Sequence, residues 1–192
     1  NNPLRINNNR LNKHLTELSK FGKNEFGGVS RVAYSDADLR GREFAIKLMK
    51  TAGMDVYIDP GGNIIGILVG KNNDLPPIAI GSHIDSVPEG GNFDGNVGSM
   101  SAIEVAQTLK ESKHTLNHPL IVVIFQNEEG GLFGSKVMTS GLTGLELELQ
   151  SSSGYSIRKG VERIGGNIDQ LEKAKLKKNE WAAYVELHIE QG

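Results

Sequence analysis

Cysteine is absent from the 192 residues of this chain. Disulfides, thiolate metal ligands and a cysteine nucleophile are therefore excluded. An excess of charge is also lacking, since 21 Lys and Arg stand against 23 Asp and Glu and leave a net charge of −2. Nucleic acid and anionic membranes attract proteins through a basic excess or a basic tract. We therefore expect neither as a partner.

Long hydrophobic runs are missing as well. No apolar stretch approaches the roughly 20 residues that span a bilayer, so we expect no membrane segment and a cytoplasmic protein. The hydrophobic content of 38% and the charged content of 23% are ordinary for a globular domain. The sequence starts at Asn1 rather than at Met and stops at Gly192 directly after a motif-like stretch. We expect a fragment truncated at both ends, so the question of a removed targeting segment stays open.

Periodicity predicts helices and strands in the first third of the chain. The leucines of residues 11–18 recur at helical spacing, and a similar apolar stripe over 45–52 ends at a glycine typical of a helix terminus. Residues 54–58 alternate between apolar and polar, which predicts a half-buried strand. Residues 64–69 predict its hairpin partner across the turn at 60–63.

The rest of the chain continues the alternation. The pattern predicts a short strand ending at His83, a helix over 97–110, a doubly buried strand over 120–125 and a final strand over 182–192 that carries His188. It also predicts shorter helical segments: 133–140, 157–164 and 168–175. The fold class is therefore α/β. We predict a three-layer sandwich with a mixed, centrally parallel β-sheet flanked by helices.

Polar clusters follow three of the predicted strands, at 83–94, 128–129 and 188–190. Taken singly, the residues of these clusters have simpler explanations. His83 could be a structural histidine, Asp94 a turn residue, Glu128 and Glu129 a solvated acidic pair, and His188 an edge histidine. Together, two histidines and three acids without cysteine describe a nitrogen and oxygen site suited to Zn²⁺ or Mn²⁺. A shared carboxylate could hold two such ions about 3.5–4 Å apart. A free glutamate could then transfer protons between a water and a leaving nitrogen.

Three ordered stretches carry a more specific signal: GSHIDSVPEGGNFDG at 81–95, NEEGGLFGS at 127–135 and ELHIEQG at 186–192. They resemble the signatures of a family of dinuclear-zinc amidohydrolases. That family comprises the N-carbamoyl-L-amino acid hydrolases, the allantoate and ureidoglycolate amidohydrolases and the β-ureidopropionases. It is a branch of the aminoacylase and carboxypeptidase superfamily, so the resemblance implies a zinc-exopeptidase-like catalytic domain.

The resemblance implies a role for each matching residue. His83 and His188 would bind one metal ion, Glu129 would bind the other, and Asp94 would bridge the two. Glu128 would serve as general base and then as general acid.

Two further residues have supporting roles by the same resemblance. Asp85 would support His83, because a carboxylate behind a metal-bound imidazole fixes its tautomer, and Gln191 would line the substrate pocket. The family often has a cis peptide after the bridging aspartate, which here would be the Asp94–Gly95 bond.

Parts of the family's site fall outside this sequence. The second metal takes another histidine from a distant segment, and a lid domain supplies substrate-binding arginine and asparagine; both would lie beyond Gly192. We accordingly expect residues 1–25 to form an N-terminal extension and helix. Residues 26–192 would form the N-terminal portion of the catalytic domain, inactive alone, and the full-length protein would be a homodimer through its lid.

The expected activity is hydrolysis of the linear amide C–N bond of a small molecule, an N-carbamoyl amino acid or a ureido acid such as allantoate. A metal-bridged water and a glutamate base would carry it out. One alternative is a metallopeptidase or aminoacylase with the same metal core. The other is a non-catalytic relative that only binds a ligand, although a mere binder has no use for a general base at Glu128.

Overall fold

A computed structural model describes residues 3–190, and a five-stranded sheet lies at the centre of this part of the chain. Its strands are β1 (Asp55–Ile58), β2 (Ile64–Leu68), β3 (Ile78–His83), β4 (Leu120–Phe125) and β5 (Ala183–Val185). They lie in the order β1-β2-β4-β3-β5. Strand β3 runs parallel to β4 and β5, whereas β2 runs antiparallel to β1 and β4. The predicted mixed sheet with a parallel centre and a hairpin at one side is confirmed.

Helices cover both faces of this sheet. They are α1 (Asn8–Ser19), α2 (Asp36–Thr51), α3 (Asn96–Glu111), α4 (Phe133–Met138), α5 (Gly144–Glu148) and α6 (Ile157–Arg163), with a 3₁₀ helix at Ile168–Ala174. The first three pack on one face and build the main apolar core. Helix α4 and the segment 176–181 cover the other face. This is the three-layer arrangement that the alternating pattern predicts.

Strand β4 shows why the sheet is buried on both sides. Leu120, Val122 and Ile124 point into the core under α1, α2 and α3. Ile121 and Val123, which alternate with them, pack against α4 and its neighbours. Because successive side chains of a strand point to opposite faces, an unbroken apolar run is what a central strand needs.

The end of the chain differs from the prediction. Strand β5 pairs with β3 only over Ala183–Val185, so the predicted strand over 182–192 is too long and His188 lies outside it. The reason is a close approach to α3: a Cβ on Gly98 would lie 2.3 Å from the backbone oxygen of Leu187. The chain therefore leaves the sheet to pass over the start of α3, and His188 comes from an irregular segment.

Helix α1 is fastened to α3 by an ion pair. The Arg10 guanidinium lies 2.7 Å from Glu104, whose carboxylate is fully buried, and 2.6 Å from the exposed Glu111. Leu18, at the other end of α1, is part of the main core. The division into residues 1–25 and 26–192 stays a prediction. In the part of the chain that the structure describes, no helix is long and apolar enough to cross a membrane.

Arg31 joins three segments beneath the carboxyl end of β3. Its fully buried guanidinium donates hydrogen bonds to the carbonyl oxygens of Leu18, Phe21 and Ile84 at 2.9, 2.7 and 2.7 Å. It also donates to Oδ1 of Asn96 at 2.9 Å. Burial lowers the pKa of this guanidinium to about 10, so it remains charged at neutral pH.

Replacing this arginine should destabilise the fold severely. Arg31→Met would remove four hydrogen bonds to buried or partly buried acceptors, and we expect a loss of about 3–5 kcal/mol in the free energy of unfolding, measured by urea denaturation. Arg40→Met, which changes an exposed arginine of α2, should cost less than about 0.5 kcal/mol. Similar losses in the two variants would contradict the assigned role of Arg31.

Candidate metal centre

Four of the predicted site residues meet beyond the carboxyl ends of β3 and β4. His83 is the last residue of β3, Asp94 lies just before α3, Glu128 follows β4, and His188 follows β5. The Nε2 atoms of His83 and His188 lie 3.8 and 3.4 Å from Oδ1 of Asp94. Oε2 of Glu128 lies 3.6 Å from Nε2 of His83. Such crevices are where ligands bind in parallel α/β sheets.

The donor set fits a divalent metal ion. His83, Asp94 and His188 each offer one ligand atom, and these atoms lie within 4.8 Å of one another. Among the described residues, Oδ1 of Asp94 is buried and has no hydrogen-bond partner. A buried carboxylate oxygen without a partner is costly unless a cation satisfies it. Imidazole and carboxylate ligands without thiolate suit Zn²⁺ or Mn²⁺.

The backbone of Asp85 orients the imidazole of His83. Nδ1 of His83 lies 3.0 Å from the carbonyl oxygen of Asp85 and 3.6 Å from its carboxylate. A proton on Nδ1 bonded to that carbonyl leaves Nε2 free to face Asp94, and this is the tautomer that a metal ligand requires.

The carboxylate of Asp85 has a different contact from the one expected. Its two oxygens accept hydrogen bonds from the backbone amides of Glu128 and Glu129, both at 3.1 Å. Asp85 thus ties the loop after β3 to the loop after β4, and its carboxylate reaches His83 only at the longer distance.

The acidic pair that follows β4 separates into two positions. Glu128 is about one-third exposed and lies beside the His83 ring. Glu129 lies next to Asp94 but is not part of the group of three candidate ligands. Gln191, the predicted substrate contact, lies outside the described residues.

The pKa values reflect this crowding of charges. Burial lowers the pKa of His83, but the neighbouring carboxylates of Asp85 and Glu128 outweigh it and raise the pKa to about 9. Burial, together with a hydrogen bond to Asp94 and its charge, raises the pKa of Glu129 to about 7. Burial also raises the pKa of Glu128, against the opposing effect of the His83 charge. In the absence of a cation, His83 therefore retains its proton at pH 7, and Glu129 is about half protonated there.

Gly95 lets the metal ligands come together. Its φ of +62° turns the chain between Asp94 and α3, and a Cβ there would lie 2.5 Å from ring atoms of His83. Within residues 3–190 no peptide bond is cis, so the predicted cis bond at Asp94–Gly95 is wrong. The positive φ of glycine already supplies the sharp turn.

Adding a methyl group at this position should displace the imidazole. For Gly95→Ala we expect metal affinity to fall about 10- to 100-fold, the range seen when the support of a metal ligand is disturbed. Gly91→Ala is the matched control in the same loop, because a Cβ there meets nothing within 4 Å. Zinc titration against a competing chelator measures both, and an unchanged affinity in Gly95→Ala would contradict the geometry.

A cavity of about 340 Å³ opens beside the site. His83 and Glu128 lie at its rim, and its walls are mostly apolar: Phe125, Leu132, Met138, Leu176 and Trp181. An apolar cavity next to polar and titratable groups is the usual form of a small-molecule site.

One known family model matches the part of the chain that carries most of the site. The model of Peptidase family M28 matches residues 63–152, which contain β3, β4 and the loops that carry His83, Asp94 and Glu128. The sheet order and the flanking helices match a zinc-exopeptidase-like fold, as the family resemblance implies.

Individual proteins that are similar to this chain have more specific names. An N-carbamoyl-L-amino acid amidohydrolase of Geobacillus stearothermophilus is 39% identical over 97% of this chain and 47% of its own length. A ureidoglycolate hydrolase of Arabidopsis thaliana is 36% identical over 95% of this chain and 40% of its own. The crystal structure of a hydantoinase/carbamoylase family amidase from Burkholderia vietnamiensis has a TM-score of 0.89, with 33% identity over 100% of this chain and 47% of that one.

The predicted resemblance is therefore confirmed. Its homologues include N-carbamoyl-L-amino acid amidohydrolases and ureidoglycolate hydrolases, each of which it matches over part of that protein's length. It spans about half the length of the curated relatives it matches.

Proposed function

We propose that the full-length protein is a metal-dependent amidohydrolase that cleaves the linear amide C–N bond of an N-carbamoyl or ureido acid. The observation that carries this proposal is the buried, unpartnered Oδ1 of Asp94 between the Nε2 atoms of His83 and His188, with Glu128 beside them. The relatives at 33–39% identity carry the names of enzymes for these substrates.

Each charged residue of the site has one task in this proposal. His83, His188 and Asp94 would hold one divalent ion, and Glu129 with Asp94 would hold a second. When bound, such ions polarise a carbonyl and make a water molecule more acidic. Asp85 keeps both loops in place through the Glu128 and Glu129 amides.

Glu128 would move the protons. Its carboxylate is partly exposed toward the cavity and hydrogen-bonds no other side chain among the described residues. Burial raises its pKa, which makes it a better proton acceptor at neutral pH. It would take a proton from the attacking water and deliver it to the leaving nitrogen.

Proton release on metal binding tests the electrostatics of the site. With pKa values of about 9 for His83 and about 7 for Glu129, both groups hold protons near pH 7 that a metal must displace. We expect roughly one to two protons released per site at pH 7, and an apparent affinity that rises with pH up to about pH 9. Calorimetry of zinc binding in buffers of different ionisation enthalpy measures the number, and release of less than half a proton would contradict the assignment.

The apolar cavity favours one substrate class within the proposal. Its walls suit the side chain of an N-carbamoyl amino acid better than the polar groups of allantoate. The test assays the full-length protein, with Zn²⁺ or Mn²⁺ added, on N-carbamoyl amino acids, allantoate and dipeptides. Hydrolysis of dipeptides alone would overturn the proposal and favour the metallopeptidase or aminoacylase alternative. Binding of these compounds without any turnover would favour the ligand-binding relative.

Three finer expectations accompany this function. The metal would be Zn²⁺ or Mn²⁺, two ions to a site, and metal analysis of the purified protein tests this. The full-length protein would be a homodimer through a lid domain outside this sequence, which light scattering tests. The protein would act in the cytoplasm.

A further inference from the structure

Tyr34 is a buried tyrosine that is not one of the grouped metal ligands, and its hydroxyl has two hydrogen-bond partners. The side chain is fully buried, and its hydroxyl donates a hydrogen bond to Oε1 of Gln126 at 2.7 Å. Nδ2 of Asn127 donates to the same hydroxyl at 3.2 Å. Both partners are buried too. The Tyr34 hydroxyl thus hydrogen-bonds the side chains of the two residues that come directly before the Glu128–Glu129 pair.

The backbone of Tyr34 is fixed from two sides. Its φ of +70° is one that residues other than glycine rarely adopt. Its amide donates to Oδ2 of Asp38 at 2.8 Å, and its carbonyl accepts from Nε of Arg163 at 2.9 Å. Gly160 of α6 allows the ring to fit closely, since a Cβ there would lie 2.2 Å from it. The position of the hydroxyl is therefore set before it meets its partners.

The loop after β4 is held from both ends as a result. On one side, Asp85 accepts the amides of Glu128 and Glu129. On the other side, the Tyr34 hydroxyl holds the side chains of Gln126 and Asn127. Asn127 also has a positive φ of +47°, a conformation that needs outside support in a residue with a side chain.

The side chain of Gln126 is fixed at one end. Its Oε1 accepts the hydrogen bond of the Tyr34 hydroxyl at 2.7 Å, whereas its Nε2 is buried and has no hydrogen-bond partner among the described residues. The Tyr34 hydroxyl therefore fixes the orientation of this amide.

We infer that Tyr34 is a positioning residue that sets the loop carrying Glu128 and Glu129, acting through Gln126 and Asn127. The expected change in kcat rests on the proposed function, whereas the expected change in hydrogen exchange of the loop does not. Displacing a proton-transfer group by about 1 Å can cost as much as 10²-fold in rate. The hydroxyl contacts no substrate, so substrate affinity should change little.

The central variant is Tyr34→Phe in the full-length protein, which keeps the ring and removes only the hydroxyl. We expect kcat on the best N-carbamoyl substrate to fall about 10- to 100-fold, with KM within about twofold. We also expect hydrogen exchange of residues 126–131 to accelerate by about tenfold or more, while exchange in β4 and α3 stays unchanged.

Two controls separate positioning from general loss of stability. Val161→Ala removes packing from the same apolar cluster as Tyr34 but leaves the hydroxyl network in place. Tyr57→Phe removes a half-exposed hydroxyl on β1. Both should keep wild-type kcat and wild-type exchange at 126–131, even where Val161→Ala unfolds at the same temperature as Tyr34→Phe.

The outcomes decide the inference either way. Equal kcat and equal exchange in Tyr34→Phe and Val161→Ala would overturn it. If the full-length protein hydrolyses none of these substrates, the proposed function fails, and the exchange at 126–131 alone then decides the role of Tyr34. If Tyr34→Phe does not fold, Gln126→Met removes the acceptor at similar side-chain length and is judged by the same two measurements.

Discussion

In the full-length protein, Glu128→Gln should nearly abolish the proposed amide hydrolysis while leaving metal content at the wild-type level. The amide of glutamine cannot accept the proton of the attacking water, and general acid–base catalysis contributes about 10²- to 10⁴-fold to rates. We therefore expect kcat to fall about 10³-fold or more, with little change in KM, because the lost interaction is made mainly in the transition state. Steady-state kinetics and metal analysis on the same preparation measure both quantities.

The neighbouring residue is the matched control for this prediction. Glu129→Gln changes an identical side chain one position away, but Glu129 lies next to Asp94 and would be a ligand of the second ion. It should lose metal together with activity. Loss of metal in Glu128→Gln, with retention in Glu129→Gln, would show that the two roles are exchanged.

Asp94→Asn should remove metal binding without destabilising the metal-free protein. Asp94 is the carboxylate between His83 and His188, and a zinc site with about four ligands owes roughly 3 kcal/mol, or about 10²-fold in affinity, to each of them. In the proposed two-ion site Asp94 would be the shared ligand, so we expect a loss of at least about 10²-fold for each ion and no measurable turnover of the full-length protein.

The stability of the same variant gives an independent result. In the metal-free protein, Oδ1 of Asp94 is buried and has no hydrogen-bond partner within residues 3–190, and the carboxyl group of Glu129 lies beside Asp94. Removing this charge should leave the free energy of unfolding unchanged or raise it, as is common at functional sites. Thermal unfolding with a chelator present measures this. Asp55→Asn, an exposed change on β1, is the control, and a strongly destabilised Asp94→Asn would mean that Asp94 has a structural role.

Local patterns were enough to predict most of the elements that carry the site. The alternation in β1, the unbroken apolar run of β4 and the helical spacing in α1 and α2 each indicate burial along the chain, and the turn at 60–63 indicates β2 as the hairpin partner of β1. The structure confirms those elements. Polar residues that follow apolar strands also predict where a crevice lies, because parallel strands end at the same edge. His83 and Glu128 were found in this way.

Other features depend on contacts between distant residues and leave no local trace. His188 lies outside the sheet because Leu187 passes over Gly98 of α3, although its flanking residues alternate as a strand would. The carboxylate of Asp85 bonds to amides 43 and 44 residues away, and no spacing within its own loop predicts that.

Tyr34 shows the same limit most clearly. Its hydroxyl meets residues 92 and 93 positions later in the chain, and a buried tyrosine beside a helix start looks like an ordinary core residue. Its positive φ occurs together with a local hydrogen bond to Asp38 and close packing of its ring against Gly160 of α6. The stretch from Gly28 to Tyr34 carries no pattern that assigns it a role.

The sequence by itself determined the class of the protein: an α/β sandwich with histidines and carboxylates at its strand ends, in the motifs of an amidohydrolase family. Only the tertiary structure decided how those residues meet. His83 and His188 both lie near Oδ1 of Asp94. The carboxylate of Asp85 accepts hydrogen bonds from the Glu128 loop, and the Tyr34 hydroxyl bonds to side chains of the same loop. The physical reason is that side-chain periodicity records which residues are buried, whereas hydrogen-bond partners and metal-ligand distances depend on segments that only folding brings together.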